Sequence, residues 1–67
     1  MPSTAIRDIE YDDSEECLTV TFVTGRVYVY FDVPIDVAAD FHASRSKGTF
    51  FNTQIRDRYR YREITQA

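Results

Sequence analysis

Apolar and polar residues alternate in two stretches of the chain, on either side of a glycine. The run Cys17–Val23 alternates with a period of two and is rich in β-branched side chains, which is typical of a half-buried strand. The run Arg26–Phe31 follows the same pattern, with Val27, Val29 and Phe31 on one side. The pattern therefore predicts two adjacent antiparallel strands.

The loop between these strands predicts their register. Glycine adopts the positive φ of a two-residue hairpin turn, so Thr24-Gly25 is expected to form the loop and to set Val23 opposite Arg26. A core face then contains the apolar pairs Phe22 with Val27, Val20 with Val29 and Leu18 with Phe31. The opposite face contains the remaining pairs, Thr21 with Tyr28 and Thr19 with Tyr30. A slip of one residue would exchange these two faces.

A further strand is predicted before the hairpin and two helices after it. Ala5–Tyr11 supplies the strand, and the acidic turn Asp12–Glu16 joins it to the hairpin in a meander, because sequential strands usually pair. Val33-Pro34 ends the sheet, since proline has no N–H to donate to a ladder. Helical spacing of apolar residues then predicts one helix over Ile35–Ser44 and another over roughly residues 47–56.

The predicted fold class is α+β: a three-stranded antiparallel meander followed by two short helices and a C-terminal tail. Ser44 or Ser46 is expected to cap the second helix. From about Arg58 the chain is expected to form a partly ordered extended tail that frays at Thr65–Ala67. An extended tail would set its arginines on one side, and a helical one would scatter them. The predicted core contains Ile9, Leu18, Val20, Phe22, Val27, Val29, Phe31, Val37, Phe41, Phe51 and Ile55.

Composition predicts one small cytoplasmic domain. The chain has 67 residues, of which 43% are apolar, so it suffices for one core and is expected to form a single domain over residues 1–67 with an ordered part at about 6–59. Its one cysteine, Cys17, cannot form an internal disulfide, which suits a reducing compartment. No apolar run approaches the length of a membrane span, and the first residues lack the layout of a secretion signal.

The two halves of the chain differ in charge. Residues 1–40 contain nine acids and two bases, whereas residues 41–67 contain six bases and two acids. Two interpretations remain open at this point. The halves attract each other within the fold, or the basic end meets an anionic partner.

The residues that could carry catalysis are sparse, and the chain is predicted not to be an enzyme. His42 is the one histidine and is far from Cys17 in sequence, so a nucleophilic pair has no support. The acids of Asp12–Glu16 lack the glycine and the spacing of a calcium loop. No cofactor and no metal site are expected.

Binding is better supported by the residue types. Tyr28 and Tyr30 have the type and spacing to stack on unpaired bases. The basic residues expected to contact phosphates are Arg26, Lys47, Arg56, Arg58 and Arg60. The competing interpretation is that a helix or C-terminal segment, including Tyr59 and Tyr61, covers this face as a second packed layer.

The order of the motifs resembles the KTSC domain. The first half of the pattern is Ile9-x-Tyr11-Asp12, then Leu18-x-Val20-x-Phe22-x-x-Gly25-x-x-Tyr28-x-Tyr30-x-x-Val33-Pro34. The second half is Ser46-Lys47-Gly48, then Phe51-Asn52-x-x-Ile55-Arg56-x-x-Tyr59. The family includes small free-standing bacterial proteins and resembles a C-terminal segment of some lysyl-tRNA synthetases. The resemblance implies no catalytic activity, with RNA binding as the suggested role.

The expected function is therefore a non-catalytic binding module without membrane association, whose partner is RNA or another single-stranded nucleic acid. The alternative is a protein-protein interaction or homodimerisation module. It is motivated by the small core, the oppositely charged halves and an open sheet edge that can pair with another chain.

Overall fold

A four-stranded antiparallel sheet carries the helical segments on one of its faces. The computed structural model describes residues 5–64. The strands lie in the order of the chain: β1 (Ile6–Asp12), β2 (Cys17–Phe22), β3 (Val27–Tyr30) and β4 (Tyr61–Ile64). Between β3 and β4 come α1 (Ile35–Ala43), α2 (Lys47–Phe50) and a π-helical turn (Phe51–Ile55) that continues α2. The predicted fraying of Thr65–Ala67 lies outside the described residues.

The predicted α+β class and the antiparallel meander followed by helices are confirmed. The sheet gains a fourth strand, because part of the segment expected to be a tail returns to pair with β3. Val29 lies opposite Arg62, and Tyr30 lies opposite Tyr61. The arginines from Arg56 to Arg62 do not all share one extended segment, since Arg62 is in β4 and Arg56 follows the π-helical turn.

The predicted hairpin register is wrong by one residue. The Gly25 amide donates to the Phe22 carbonyl at 2.8 Å, and the Phe22 amide donates to the Arg26 carbonyl at 2.9 Å. The loop thus contains three residues, Val23, Thr24 and Gly25, and Gly25 has a φ of 95°. Three-residue hairpin loops commonly place a glycine of positive φ at their last position. The pairs are consequently Leu18 with Tyr30, Thr19 with Val29, Val20 with Tyr28 and Thr21 with Val27.

This register moves the two tyrosines of β3 onto the core face and corrects the predicted core. Val27, Val29 and Phe31 are only partly buried and lie outside the central cluster, because they alternate with the tyrosines. Ile9, Phe22 and Val37 are partly buried and pack against it. The buried cluster contains Leu18, Val20, Tyr30, Val33, Ala38, Phe41, Phe51 and Ile55.

The helical segments are short, and α1 and the π-helical turn each bury two residues whereas α2 buries none. α1 begins after Pro34, whose extended ψ of 152° precedes the first helical turn, and it buries Ala38 and Phe41. Ser46 occupies the position before α2, but its hydroxyl makes no cap hydrogen bond. The Ser44 hydroxyl instead accepts from the Ser46 amide at 3.1 Å and donates to its carbonyl at 2.9 Å. Within residues 5–64, no helix is long and apolar enough to cross a bilayer.

Candidate functional site

A cavity of about 550 Å³ opens beside β3 and β4, on the face that carries the helical segments. We call it the aromatic cleft. Its wall comes from the hairpin loop, β3 and β4, the end of β2, the residue before β1 and both ends of the π-helical turn. The residues that line it are Ala5, Phe22, Val23, Thr24, Arg26, Tyr28, Tyr30, Phe51, Arg56, Asp57 and Tyr61.

The floor of the cleft is a continuous group of aromatic rings. Tyr61 packs on Tyr30 and on Tyr28, with ring centroids 5.4 Å and 5.7 Å apart. Phe51, from the π-helical turn, meets Tyr30 edge-on at 5.6 Å and Phe22 edge-on at 5.3 Å. Offset and edge-on contacts of this kind fix ring orientation and add to the burial energy. The floor is therefore a closely packed aromatic surface.

The aromatic rings differ in how much of each reaches solvent. Tyr30 is 4% exposed, so its ring belongs to the core and offers almost no surface to a ligand. Tyr28 is partly buried, and Tyr61 is 56% exposed. The exposed aromatic surface of the cleft thus comes from Tyr61 and the open part of Tyr28, and Tyr30 contributes almost nothing to it.

Two arginines give the rim of the cleft a positive side. Arg26 enters from the hairpin and Arg56 from the end of the π-helical turn. Hydrogen bonding with Tyr28 raises the pKa of the Arg26 guanidinium, and the Glu63 carboxylate acts in the same direction. Asp57 also lies on the rim and is the acid among the lining residues.

The pKa of Tyr30 reflects the burial of its side chain in the cleft floor. Burial raises its pKa to about 12, and the neighbouring Tyr61 and Tyr28 add to the rise. Arg56 lowers the pKa and only partly offsets these effects. The Tyr30 phenol is therefore neutral at physiological pH and serves the packing of the cleft floor.

Four of the predicted binding residues come together in the aromatic cleft: Arg26, Tyr28, Tyr30 and Arg56. Tyr61 was not predicted as a binding residue, although the sequence left open that it packs near Tyr28 and Tyr30, which it does. The signal that could have found it is the alternation of arginine and tyrosine after Arg58, which also fits a strand at the sheet edge.

The other three predicted binding residues lie elsewhere. The Lys47 ammonium donates to the Ser44 carbonyl at 2.6 Å and borders a shallow hollow beside β1. Arg58 donates through Nε to the Thr53 carbonyl at 3.1 Å. Arg60 pairs with Asp32 at 3.1 Å, and its guanidinium lies 5.4 Å from the centre of the Phe31 ring. Each of these cations has an intramolecular contact outside the aromatic cleft.

The lone histidine does not contribute to the cleft. His42 is exposed and borders the hollow that also contains Lys47. Across the part of the chain that the structure describes, no three histidine, cysteine or acidic side chains form a group able to hold a metal ion.

Residues 2–59 match the sequence profile of the KTSC domain, and the chain belongs to this family. The fold agrees closely with the crystal structure of a KTSC domain protein from Yersinia pestis. That structure has a TM-score of 0.85 and 31% sequence identity, and the match covers 97% of this chain and 94% of the other.

Proteins related in sequence fall into two kinds. A protein of Tsukamurella paurometabola is 38% identical over 58 residues, which is 87% of either chain. Lysine–tRNA ligases of Trichormus variabilis and Nostoc punctiforme are 32% and 33% identical over 60 residues. That match covers 90% of this chain but only 11% of each ligase, so the chain corresponds to a small part of those enzymes.

Proposed function

We propose that this KTSC domain is a non-catalytic module that binds single-stranded RNA through the aromatic cleft. The observation that carries the proposal is the exposed Tyr61 ring set beside Tyr28, in a cleft that two arginines from different elements also line. Any of the four bases can stack on an aromatic ring, and an adjacent guanidinium neutralises the phosphate that follows the base.

The dimensions and composition of the cleft fit one or two nucleotides. A volume of about 550 Å³ lies within the usual range of small-ligand sites. Val23 and Thr24, from the hairpin loop, supply apolar and hydroxyl surface beside the rings. Asp57 and Glu63 disfavour a crowded array of phosphates, so we expect a short strand to enter with a base in the cleft and phosphates at Arg26 and Arg56.

The relatives add support of a different kind. Some of them are lysine–tRNA ligases, proteins named for a reaction on transfer RNA, and the domain forms a tenth of their length. A module attached to such an enzyme could contribute to binding the RNA substrate if the module itself binds RNA. We assign the domain to the bacterial cytoplasm, where its one cysteine, Cys17, would stay reduced.

The proposal is tested by fluorescence anisotropy with labelled single-stranded RNA of about ten nucleotides and mixed base composition. Neutralising two phosphates on a single strand gives a slope of roughly −1.4 in log affinity against log salt. We therefore expect affinity to fall about sevenfold between about 50 and 200 mM salt. Affinity that is unchanged over this range, or no binding at all, contradicts the proposal.

Matched variants locate the site. Tyr61→Ala is expected to weaken binding by about 1–3 kcal/mol, the usual value of one base stacked on an aromatic ring, whereas Tyr61→Phe retains it. Arg56→Ala should weaken binding and reduce the salt slope, whereas Arg58→Ala, outside the cleft, should change neither. Equal losses in Arg56→Ala and Arg58→Ala would show that the attraction is a diffuse charge effect rather than a site.

A further inference from the structure

The sheet face opposite the helical segments, which we call the open face, has an unusual composition. The buried cluster and the helices that contribute to it lie on the other face. The central residues of the open face are Thr19, Thr21, Val27 and Val29, and each is partly buried. Outward positions of a solvent-facing antiparallel strand usually carry polar residues. Here both outward residues of β3 are valines.

Charge across the open face is ordered from one edge to the other. The β1 edge is acidic, since Glu10 lies opposite Thr19 and Asp8 opposite Thr21. The β4 edge carries Arg62 opposite Val29 and the 40% exposed Ile64 opposite Val27. One row of side chains therefore runs Glu10, Thr19, Val29, Arg62, with opposite charges at its ends.

We infer that the open face is a self-association surface whose occupant is a second copy of this chain, packed sheet against sheet. A two-fold axis parallel to the strands reverses the strand order, so that β1 of one copy lies over β4 of the other. Each Glu10 then faces an Arg62 of the second copy, and the threonines of β2 face the valines of β3. The alternative two-fold axis, across the strands, sets Glu10 against Glu10 and is disfavoured by like-charge repulsion.

Geometry and symmetry both agree with this arrangement. Sheets that pack face to face lie about 10 Å apart with nearly aligned strands, and their inner faces interdigitate mostly apolar and β-branched side chains. The contact is isologous, so it closes as a dimer and does not propagate. It is independent of the proposed RNA site, because the aromatic cleft lies on the other face and remains open in both copies.

Charge reversal tests the inference with the intact chain. Sedimentation velocity of the wild-type protein, from about 5 to 500 µM, is expected to show a concentration-dependent dimer, since so small a face supports only a weak one. Glu10→Arg and Arg62→Glu should each weaken it by about tenfold or more, because attraction becomes repulsion twice in each dimer.

Complementation gives the decisive result. An equimolar mixture of Glu10→Arg and Arg62→Glu should form heterodimers, and the double variant should self-associate like the wild type. Charge-matched changes on the helical side, Asp40→Arg and Arg45→Glu, should leave association unchanged, and circular dichroism checks that every variant is folded. A wild-type monomer at 500 µM, single variants that dimerise normally, or a mixture that stays monomeric would each overturn the inference.

Discussion

Tyr30 shows how one residue can belong to the core and to the site at once. Its pKa is raised to about 12, chiefly by burial, from the ordinary 10.0. Because the folded-state pKa exceeds the unfolded one, its contribution to stability is complete below pH 10 and is lost as pH rises towards 12. We expect the free energy of unfolding of the wild type to decline more steeply over this window than that of Tyr30→Phe.

Absorbance of the phenolate gives a direct check on the same residue. The tyrosine of the folded wild type that titrates near pH 12 should be missing from Tyr30→Phe. If folded Tyr30→Phe retains a tyrosine that titrates this late, the buried phenol has been assigned to the wrong residue.

Ile55 provides a test of the packing beneath the cleft. It is 0% exposed at the end of the π-helical turn, whereas Ile35, at the start of α1, is 59% exposed. Ile55→Val removes a buried methylene and should lower the free energy of unfolding by about 0.5–1.5 kcal/mol. The same substitution at Ile35 should have almost no effect. Urea unfolding measures both, and equal losses would contradict the assignment of Ile55 to the core.

The hairpin loop is the element on which the position of both tyrosines depends. Gly25 has a φ of 95°, and nothing lies within 4 Å of the position where a Cβ would be added. Its replacement therefore costs backbone energy rather than a clash. We expect Gly25→Ala to lower the free energy of unfolding by about 1–2 kcal/mol and Gly25→Asn by less, since asparagine tolerates positive φ better. Urea unfolding decides this, and a larger loss in the asparagine variant would contradict the loop geometry.

This loop also explains what could and could not be predicted from the sequence. The alternation at Leu18, Val20 and Phe22 identified a strand and its inward residues, because a period of two has a direct structural meaning. A glycine near the loop fits either a two-residue or a three-residue turn, and these differ by one residue of register. Tyr28 and Tyr30 were therefore placed on the wrong face.

β4 was the element least accessible to sequence reasoning. Tyr61–Ile64 contains a single aliphatic residue and is exposed throughout, so it lacks the apolar alternation of a half-buried strand. It is a strand because β3 offers it an edge, a contact between residues that are far apart in sequence. The site depends on this pairing, since it places the Tyr61 ring on Tyr30.

Removal of β4 tests that dependence. A chain ending at Arg60 loses the Tyr61 ring that covers Tyr30, so the raised pKa of Tyr30 should move back towards its ordinary value. Spectrophotometric titration measures the shift, with circular dichroism to establish that the truncated chain is folded. Tyr61→Ala in the full chain should reproduce most of the shift. A folded truncated chain with unaltered titration would mean that β4 contributes nothing to the burial of Tyr30.

At the scale of the whole molecule, the structure shows where the opposite charges of the two halves of the chain lie on the sheet. The acids of the first half include Asp8 and Glu10 on β1, and the bases of the second half include Arg62 on β4, at the opposite edge of the same sheet. The acids of β1 and Arg62 of β4 therefore lie apart, whereas Asp32 of the first half and Arg60 of the second form an ion pair at 3.1 Å. The cleft draws on both halves, with Arg26 from the first and Arg56 from the second.

Because the domain is small, ligand binding should raise its Tm by a readily measured amount. A chain of 67 residues has a marginal free energy of unfolding, on the order of a few kcal/mol. A ligand that binds only the folded state adds about 2.7 kcal/mol at 100 times its Kd. For a domain of this size, that corresponds to a rise of roughly 10–20 °C in Tm.

Single-stranded RNA at 100 times its Kd should produce this shift in the wild type and in Tyr61→Phe. Tyr61→Ala, at the same RNA concentration, should show a much smaller rise, because its Kd is higher. A wild-type Tm that does not move would mean that RNA does not bind the folded domain.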